Sequence, residues 1–182
     1  MTRAVFLDRD GTLIEDAGYL DSLERITFFP YSVDAVRLLN RAGFGVIVAS
    51  NQSGVARGFF DEAFVDETHR RIADVLAGGG ARVDGFYYCP HHPDGSVTRY
   101  RQACDCRKPK PGLLRRAADE HRFDLGRSFV VGDRASDIAA GAAIGAAGVQ
   151  VRTGYGRNSA DARGHATVDN LMEAVSWILR QP

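Results

Sequence analysis

Residues 6–12 read FLDRDGT. An apolar run ends there in two carboxylates two residues apart, and a glycine follows. Side chains two apart on an extended segment point to the same side, so Asp8 and Asp10 are expected to converge on one pocket at the end of a strand. Working outward, Ala4–Leu7 reads as a buried strand, and Gly45–Ala49 (GVIVA), Gly85–Tyr88, Phe129–Val131 and Val149–Val151 read likewise. Helical periods fill the intervals. Asp61 suits the N-cap of a helix whose Phe64, Thr68, Ile72, Val75 and Leu76 share a face, and Pro111 suits the first turn of another carrying Leu114, Ala117 and Ala118. A last stripe holds Leu171, Ala174, Val175, Ile178 and Leu179. Strands alternating with helices predict right-handed crossovers and an α/β, doubly wound, Rossmann-like parallel sheet covered on both faces. Ligands in that architecture sit beyond the carboxyl ends of the strands. Asp8 and Asp10 follow the first apolar run, Ser50-Asn51-Gln52 the second and Gly132-Asp133 the fourth.

With 182 residues, 45% of them hydrophobic, the chain is long enough for a real core, and one domain over residues 1–182 is expected. The Gly78-Gly79-Gly80 run reads as a helix-ending turn rather than a boundary. Basic and acidic residues balance at 23 each, so no positive field gathers nucleic acid or an anionic membrane. The first apolar run is too short for the core of a signal peptide, and no window approaches the roughly 20 apolar residues of a span. A cytoplasmic monomer is expected.

Paired carboxylates repel unless a hard divalent cation lies between them, and Mg²⁺ shared with the oxygens of Asp133 suits that need. Such a site also collects phosphate. One carboxylate can attack phosphorus while the other gives a proton to the leaving alcohol and later takes one from water. Ser50 and Asn51 offer donors, and the backbone amides after Asp8 a small nest. Of the 23 lysines and arginines only Lys108 and Lys110 are lysine, both in RKPKPG. A compact ammonium is thus wanted at one of them, and Lys108 is the better candidate.

All three cysteines lie in the segment CPHHPDGSVTRYRQACDC, beside histidines. Cys89, His91, Cys104 and Cys106 would fill a tetrahedral Zn²⁺ site, with His92 as an alternative to His91. With four protein ligands no place remains for an activated water, so the zinc is expected to be structural and to pin the loop over residues 89–106. That loop is otherwise short of apolar side chains, and it leads straight to Arg107 and Lys108. His69, His121 and His165 are expected to face solvent and Trp177 to pack; Arg57 reads equally as a substrate contact or a loop anchor.

Taken together, DRDGT, SNQSGVARG, CPHH…CDCRKPKPG and VGDRASD resemble the haloacid dehalogenase-like phosphatases, nearest to the heptose bisphosphate phosphatase and histidinol phosphatase subgroup. The resemblance spans nearly the whole chain. It implies that Asp8 is the nucleophile and Asp10 the general acid/base, with Mg²⁺ on Asp8, the main-chain carbonyl of Asp10, and Asp133. Ser50 and Lys108 match the second and third motifs, and Asp137 is a further acid near the metal. Asn51, Arg107 and the Gln52-Ser53 backbone would meet the substrate, and His91 is favoured over His92 for zinc. No separate cap domain is implied, so loops select the substrate. Two positions depart from the pattern: Ser50 stands where threonine is common, and Ala17 where some relatives carry histidine. The implied reaction is removal of the 7-phosphate of D-glycero-D-manno-heptose 1,7-bisphosphate, with histidinol phosphate the nearest alternative substrate. Readings of another class are a phosphoaspartate switch and a zinc-stabilised binding module without catalysis.

Overall fold

The computed structural model describes residues 2–158 and 164–182. Six parallel strands, β1 (Ala4–Leu7), β2 (Gly45–Asn51), β3 (Gly85–Cys89), β4 (Phe129–Gly132), β5 (Ala147–Val151) and β6 (Ala166–Val168), pair in the order β3-β2-β1-β4-β5-β6. The order reverses between β2 and β4, on either side of β1, which makes the end of β1 the switch point where a crevice opens. The sheet is covered on both faces. One face buries Val5, Leu7, Val46, Val48, Val131 and Val149 against helices α1 (Ser32–Arg41), α3 (Glu62–Gly78) and α6 (Leu171–Ile178). The other buries Phe6, Ile47, Ala49 and Val130 against α4 (Gly112–His121) and α5 (Ala135–Ala142), while the short α2 (Ser53–Arg57) follows β2. Val5 and Leu7 face one layer and Phe6 the other, as a strand buried on both sides requires.

Several expectations land where they were placed. Asp61 caps α3 by accepting the Phe64 N–H at 2.9 Å, and α3 ends at Gly78 with Gly80 left-handed at φ 71°. Trp177 packs edge-on to Phe129. Others need correction. The buried face of α3 runs through Val65, Thr68, His69, Ile72 and Leu76, so it is turned toward Val65 and His69 and leaves Phe64 only half-buried. His69, expected in solvent, is 6% exposed and stacks on Phe86 with ring centroids 4.8 Å apart. Burial pushes its imidazole down to about 3, and the Arg9 charge adds to the push. Leu179 lies one residue past the end of α6 and is exposed. β6 has only three half-buried residues, too few to show an alternating pattern. β2 and β3 run longer than their apolar cores, so Ser50, Asn51 and Cys89 are strand residues, and Asn51 pairs with Cys89 across the two strands. Among the described residues no helix is long and apolar enough to cross a membrane.

Candidate active site

β1 delivers Asp8 one residue beyond its last paired position, where its N–H still donates to the Val131 carbonyl at 2.9 Å. β4 ends in Gly132-Asp133, and Asp137 enters from the first turn of α5, its Oδ2 accepting the Arg134 N–H at 3.0 Å. The carboxylates of Asp8, Asp133 and Asp137 lie within 4.8 Å of one another, all buried. Two glycines leave room for them. A Cβ on Gly11, whose φ is +82°, would collide with the Asp133 carboxylate, and one on Gly132 with that of Asp137.

The only ammonium in this cluster belongs to Lys108. Its Nζ lies 2.7 Å from Asp8 Oδ1, 2.6 Å from Asp137 Oδ1 and 2.6 Å from the Ala49 carbonyl, one acceptor for each of its three protons. A planar guanidinium cannot serve three acceptors spread in this way. Lys110 lies at the surface, 3.5 Å from Asp105. Burial works against the charge on Lys108, yet the Asp137 and Asp8 carboxylates hold its pKa above the ordinary range. Burial pushes Asp8 up to about 8, with Lys108 opposing and Asp137, Asp133 and Asp10 reinforcing. Burial also raises Asp133 to about 6, against the N–H it accepts from Tyr155.

Three buried carboxyls thus face one ammonium, and the cluster is short of positive charge. Asp137 Oδ1 lacks a well-angled hydrogen bond but has the ammonium beside it; Asp133 Oδ1 is buried with no hydrogen-bond partner at all. An all-oxygen set with an orphaned carboxylate oxygen fits a hard divalent cation. Asp10 belongs to a different group. Its carboxylate opens onto the same cavity as Asp8, as expected, but it is not part of this cluster; the chain turns after Asp8, and Arg9 and Gln52 hold it.

Above the cluster lies a cavity of about 520 Å³, to whose lining Asp8, Asp10, Asn51, Ser53, Arg57 and Arg107 contribute. Gln52 and Lys108 reach it as well, whereas Ser50 is buried beneath it, its hydroxyl accepting from Gln52 Nε2 at 3.2 Å. Asn51 uses its amide twice on the main chain of Lys108, donating to the carbonyl and accepting from the N–H, each at 3.0 Å. That clasp fixes where Lys108 enters. Arg57, His92 and Arg107 make one wall basic; burial and the two guanidiniums lower the pKa of His92. Arg57 lines the cavity, and its carbonyl accepts the Ser96 hydroxyl at 2.8 Å. Sequence reasoning missed Arg134 and Asp16, which also line the cavity; nothing in their local pattern separates them from surface charges.

A second cluster stands behind this wall. Cys106 Sγ lies 3.1 Å from Cys89 and 3.2 Å from Cys104, Cys89 and Cys104 are 3.4 Å apart, and His91 Nδ1 lies 3.3 Å from Cys106. None of the cysteines is disulfide-bonded. Three thiols and an imidazole at the corners of one small polyhedron can hold a metal ion. His92 points elsewhere, its Nε2 3.4 Å from Arg57. The loop is less bare than expected: Tyr100 is buried against Val55 and Val65 and its hydroxyl bonds Glu62, which also accepts from Tyr88.

Fold and site together define a doubly wound α/β protein with its acids at the switch point. The family model for HAD-hydrolase-like proteins matches residues 105–174. D-glycero-beta-D-manno-heptose-1,7-bisphosphate 7-phosphatase of Escherichia coli strain K12 is 47% identical over 152 residues, covering 83% of this chain and 80% of that protein. The protein of the same name from Yersinia pestis is 41% identical over 175 residues, 95% and 91% of the two chains. The crystal structure of D,D-heptose 1,7-bisphosphate phosphatase from B. bronchiseptica, complexed with magnesium and phosphate, superposes over all of both chains with a TM-score of 0.88 at 33% identity. The chain belongs to the haloacid dehalogenase-like phosphatases.

Proposed function

We propose that the protein is a Mg²⁺-dependent phosphatase that removes the 7-phosphate of D-glycero-β-D-manno-heptose 1,7-bisphosphate through an aspartyl phosphate on Asp8. The observation that carries the reading is the buried contact of Lys108 with both Asp8 and Asp137 on the floor of a basic-walled cavity. An Asp8 oxygen attacks phosphorus in line, the P–O bond to C7 breaks, and its electron pair leaves with the ester oxygen, which takes a proton from Asp10. Water then attacks the acyl phosphate and gives its proton to Asp10, releasing inorganic phosphate and restoring Asp8. Bound Mg²⁺, held by Asp8, the main-chain carbonyl of Asp10 and Asp133 with Asp137 nearby, would neutralise charge on the phosphoryl oxygens and keep Asp8 ionised. Lys108 and the Ser50 hydroxyl steady the transferring group, while Asn51, Arg107 and the backbone of Gln52 and Ser53 shape the rest of the substrate site. Positioning and electrostatics of this kind provide most of the catalysis in phosphoryl transfer.

Cys89, His91, Cys104 and Cys106 would hold Zn²⁺ with all four places taken by protein, and the ion would pin the 89–106 loop. One domain over residues 1–182, acting as a cytoplasmic monomer, completes the proposal. The heptose is favoured over histidinol phosphate by the names of the relatives and by Arg57 and Arg107, which line the cavity without a carboxylate partner among the described residues and suit a second phosphate. A phosphate-release assay with Mg²⁺ against both heptose anomers and histidinol phosphate tests this. The β-anomer should give the highest kcat/KM, and a higher value for histidinol phosphate would overturn the substrate.

A further inference from the structure

Arg9, the residue between the two catalytic carboxylates, has a side chain only 3% exposed. Consecutive residues of a strand point to opposite sides, but here the chain turns: the Arg9 carbonyl accepts the N–H groups of Leu13 and Ile14, both at 3.0 Å. The turn brings the Arg9 side chain round to its neighbour. Its Nε lies 3.2 Å from Asp10 Oδ1 and 3.1 Å from Oδ2, and its Nη2 lies 3.0 Å from Asp10 Oδ2 and 3.0 Å from Gln52 Oε1. Gln52 closes the ring, donating from Nε2 to the same Asp10 oxygen at 3.0 Å and to Ser50 Oγ at 3.2 Å. Asp10 is thereby fixed by a guanidinium and an amide that are themselves buried and hydrogen-bonded to each other.

We propose that Arg9 and Gln52 form a clamp that sets the orientation of the Asp10 carboxyl for proton transfer to the leaving oxygen. The inference rests on the reading of Asp10 as the general acid. A buried guanidinium is costly, and an apolar side chain of similar size often serves stability as well. Packing alone therefore does not call for arginine at this position. Proton transfer does call for a fixed carboxyl, because the donor must come within about 2.6–3.2 Å of the ester oxygen, and a displacement of about 1 Å costs on the order of 10²-fold in rate. As the P–O bond breaks, the proton passes from Asp10 to the ester oxygen and leaves a carboxylate. The clamp holds that carboxylate in place until it takes the proton of the attacking water. Arg9 and Gln52 are positioning residues, and neither is assigned a proton to carry.

The test uses the Mg²⁺-loaded full chain and two esters: heptose 1,7-bisphosphate, whose alkoxide needs a proton as it leaves, and p-nitrophenyl phosphate, whose phenolate does not. kcat/KM reports the steps through departure of the leaving group. Arg9→Met and Gln52→Met should each lower kcat/KM about 10- to 100-fold on the heptose ester and less than about 3-fold on the aryl ester, the pattern also expected of Asp10→Asn. Arg9→Lys keeps the charge without the fork and should not restore the rate. In an Asp10→Asn background, Arg9→Met should cost less than about 3-fold more, since the clamp then has nothing to position. Equal losses on both esters, or additive losses in the Asp10→Asn background, would overturn the clamp while Asp10→Asn itself remained selective for the alkoxide. Loss of that selectivity in Asp10→Asn would overturn the acid assignment and the clamp together. Should Arg9→Met fail to fold, Gln52→Met carries the same comparison.

Discussion

The carboxylate cluster at the end of β1 and the thiol cluster in the 89–106 loop are built on opposite terms. The first contains its own cation: Lys108 lies between Asp8 and Asp137, and burial raises Asp8 and Asp133 toward neutrality when charge is short. The second contains none, since its sulfurs contact one another and His91. Hard oxygens around a partly neutralised pocket suit an ion that comes and goes, whereas thiolates packed together call for one that stays. On the reading proposed above, the difference teaches that the oxygen site can be assembled before its metal arrives, whereas the sulfur site would depend on its ion. The two are mechanically joined, because Asn51 pairs with Cys89 across the sheet and clasps the main chain of Lys108.

The largest expected effect falls on the oxygen side. Asp8→Asn should lower kcat by at least on the order of 10⁴-fold while moving Tm by no more than about 3 °C, because a neutral amide relieves the crowding of acids. Lys108→Met comes next: it leaves Asp8 and Asp137 buried without their ammonium, so unfolding titrations should show a loss of about 3–5 kcal/mol together with a rate about 10²–10³ times slower. Lys110→Met, at the surface, should stay within about 0.5 kcal/mol, and an equal loss there would erase the distinction between the lysines.

The sulfur side should respond in stability first. Cys104→Ser is expected to lower stability by about 3 kcal/mol, a fall in Tm of about 6–12 °C, and to raise KM through the loosened wall. Removing Mg²⁺ alone should abolish turnover with Tm nearly unchanged. If Cys104→Ser melted like the parent protein, the thiols would hold no structural ion and the contrast would fail.

The smallest effect calibrates both. His69 is neutral when folded, its pKa held near 3 by burial, while the unfolded chain takes up a proton near 6.5. At this residue the unfolded state therefore binds more protons between these values, and the His69 contribution to stability falls as pH drops through that window by about 1.4 kcal/mol per unit, while the raised Asp8 and Asp133 act in the opposite sense. At pH 5 the loss is about 2 kcal/mol. His69→Phe should remove this contribution, raising stability at pH 5 relative to pH 8 by about 2 kcal/mol against the parent protein, and a difference of zero would show that His69 does not titrate on unfolding.

Much of this arrangement was legible in the sequence, for local reasons. Buried strands write themselves as apolar runs, so β1, β2, β3, β4 and β5 were readable, and a doubly wound sheet places chemistry at their ends. Cys89, His91, Cys104 and Cys106 were readable because metal spacing is itself local, and Lys108 because it breaks a strong bias toward arginine. What failed depends on tertiary neighbours. Asp10 does share a cavity with Asp8, but its ties to Arg9 and Gln52 depend on the turn after Asp8 and on a residue 42 positions away. His69 looked polar and exposed because nothing in its helix announces that Phe86 and Tyr88 will cover it. The second task of Asn51, its clasp on the Lys108 main chain, was illegible because it spans 57 residues.

The central claim is that a carboxylate oxygen of Asp8 bonds to phosphorus. A crystal of the Mg²⁺-loaded protein grown with vanadate or fluoroaluminate tests it most directly. The mimic should lie in line with Asp8 and within bonding distance of one of its oxygens, with Lys108 alongside. A mimic bonded to another side chain, or seated in the cavity away from Asp8, would contradict it.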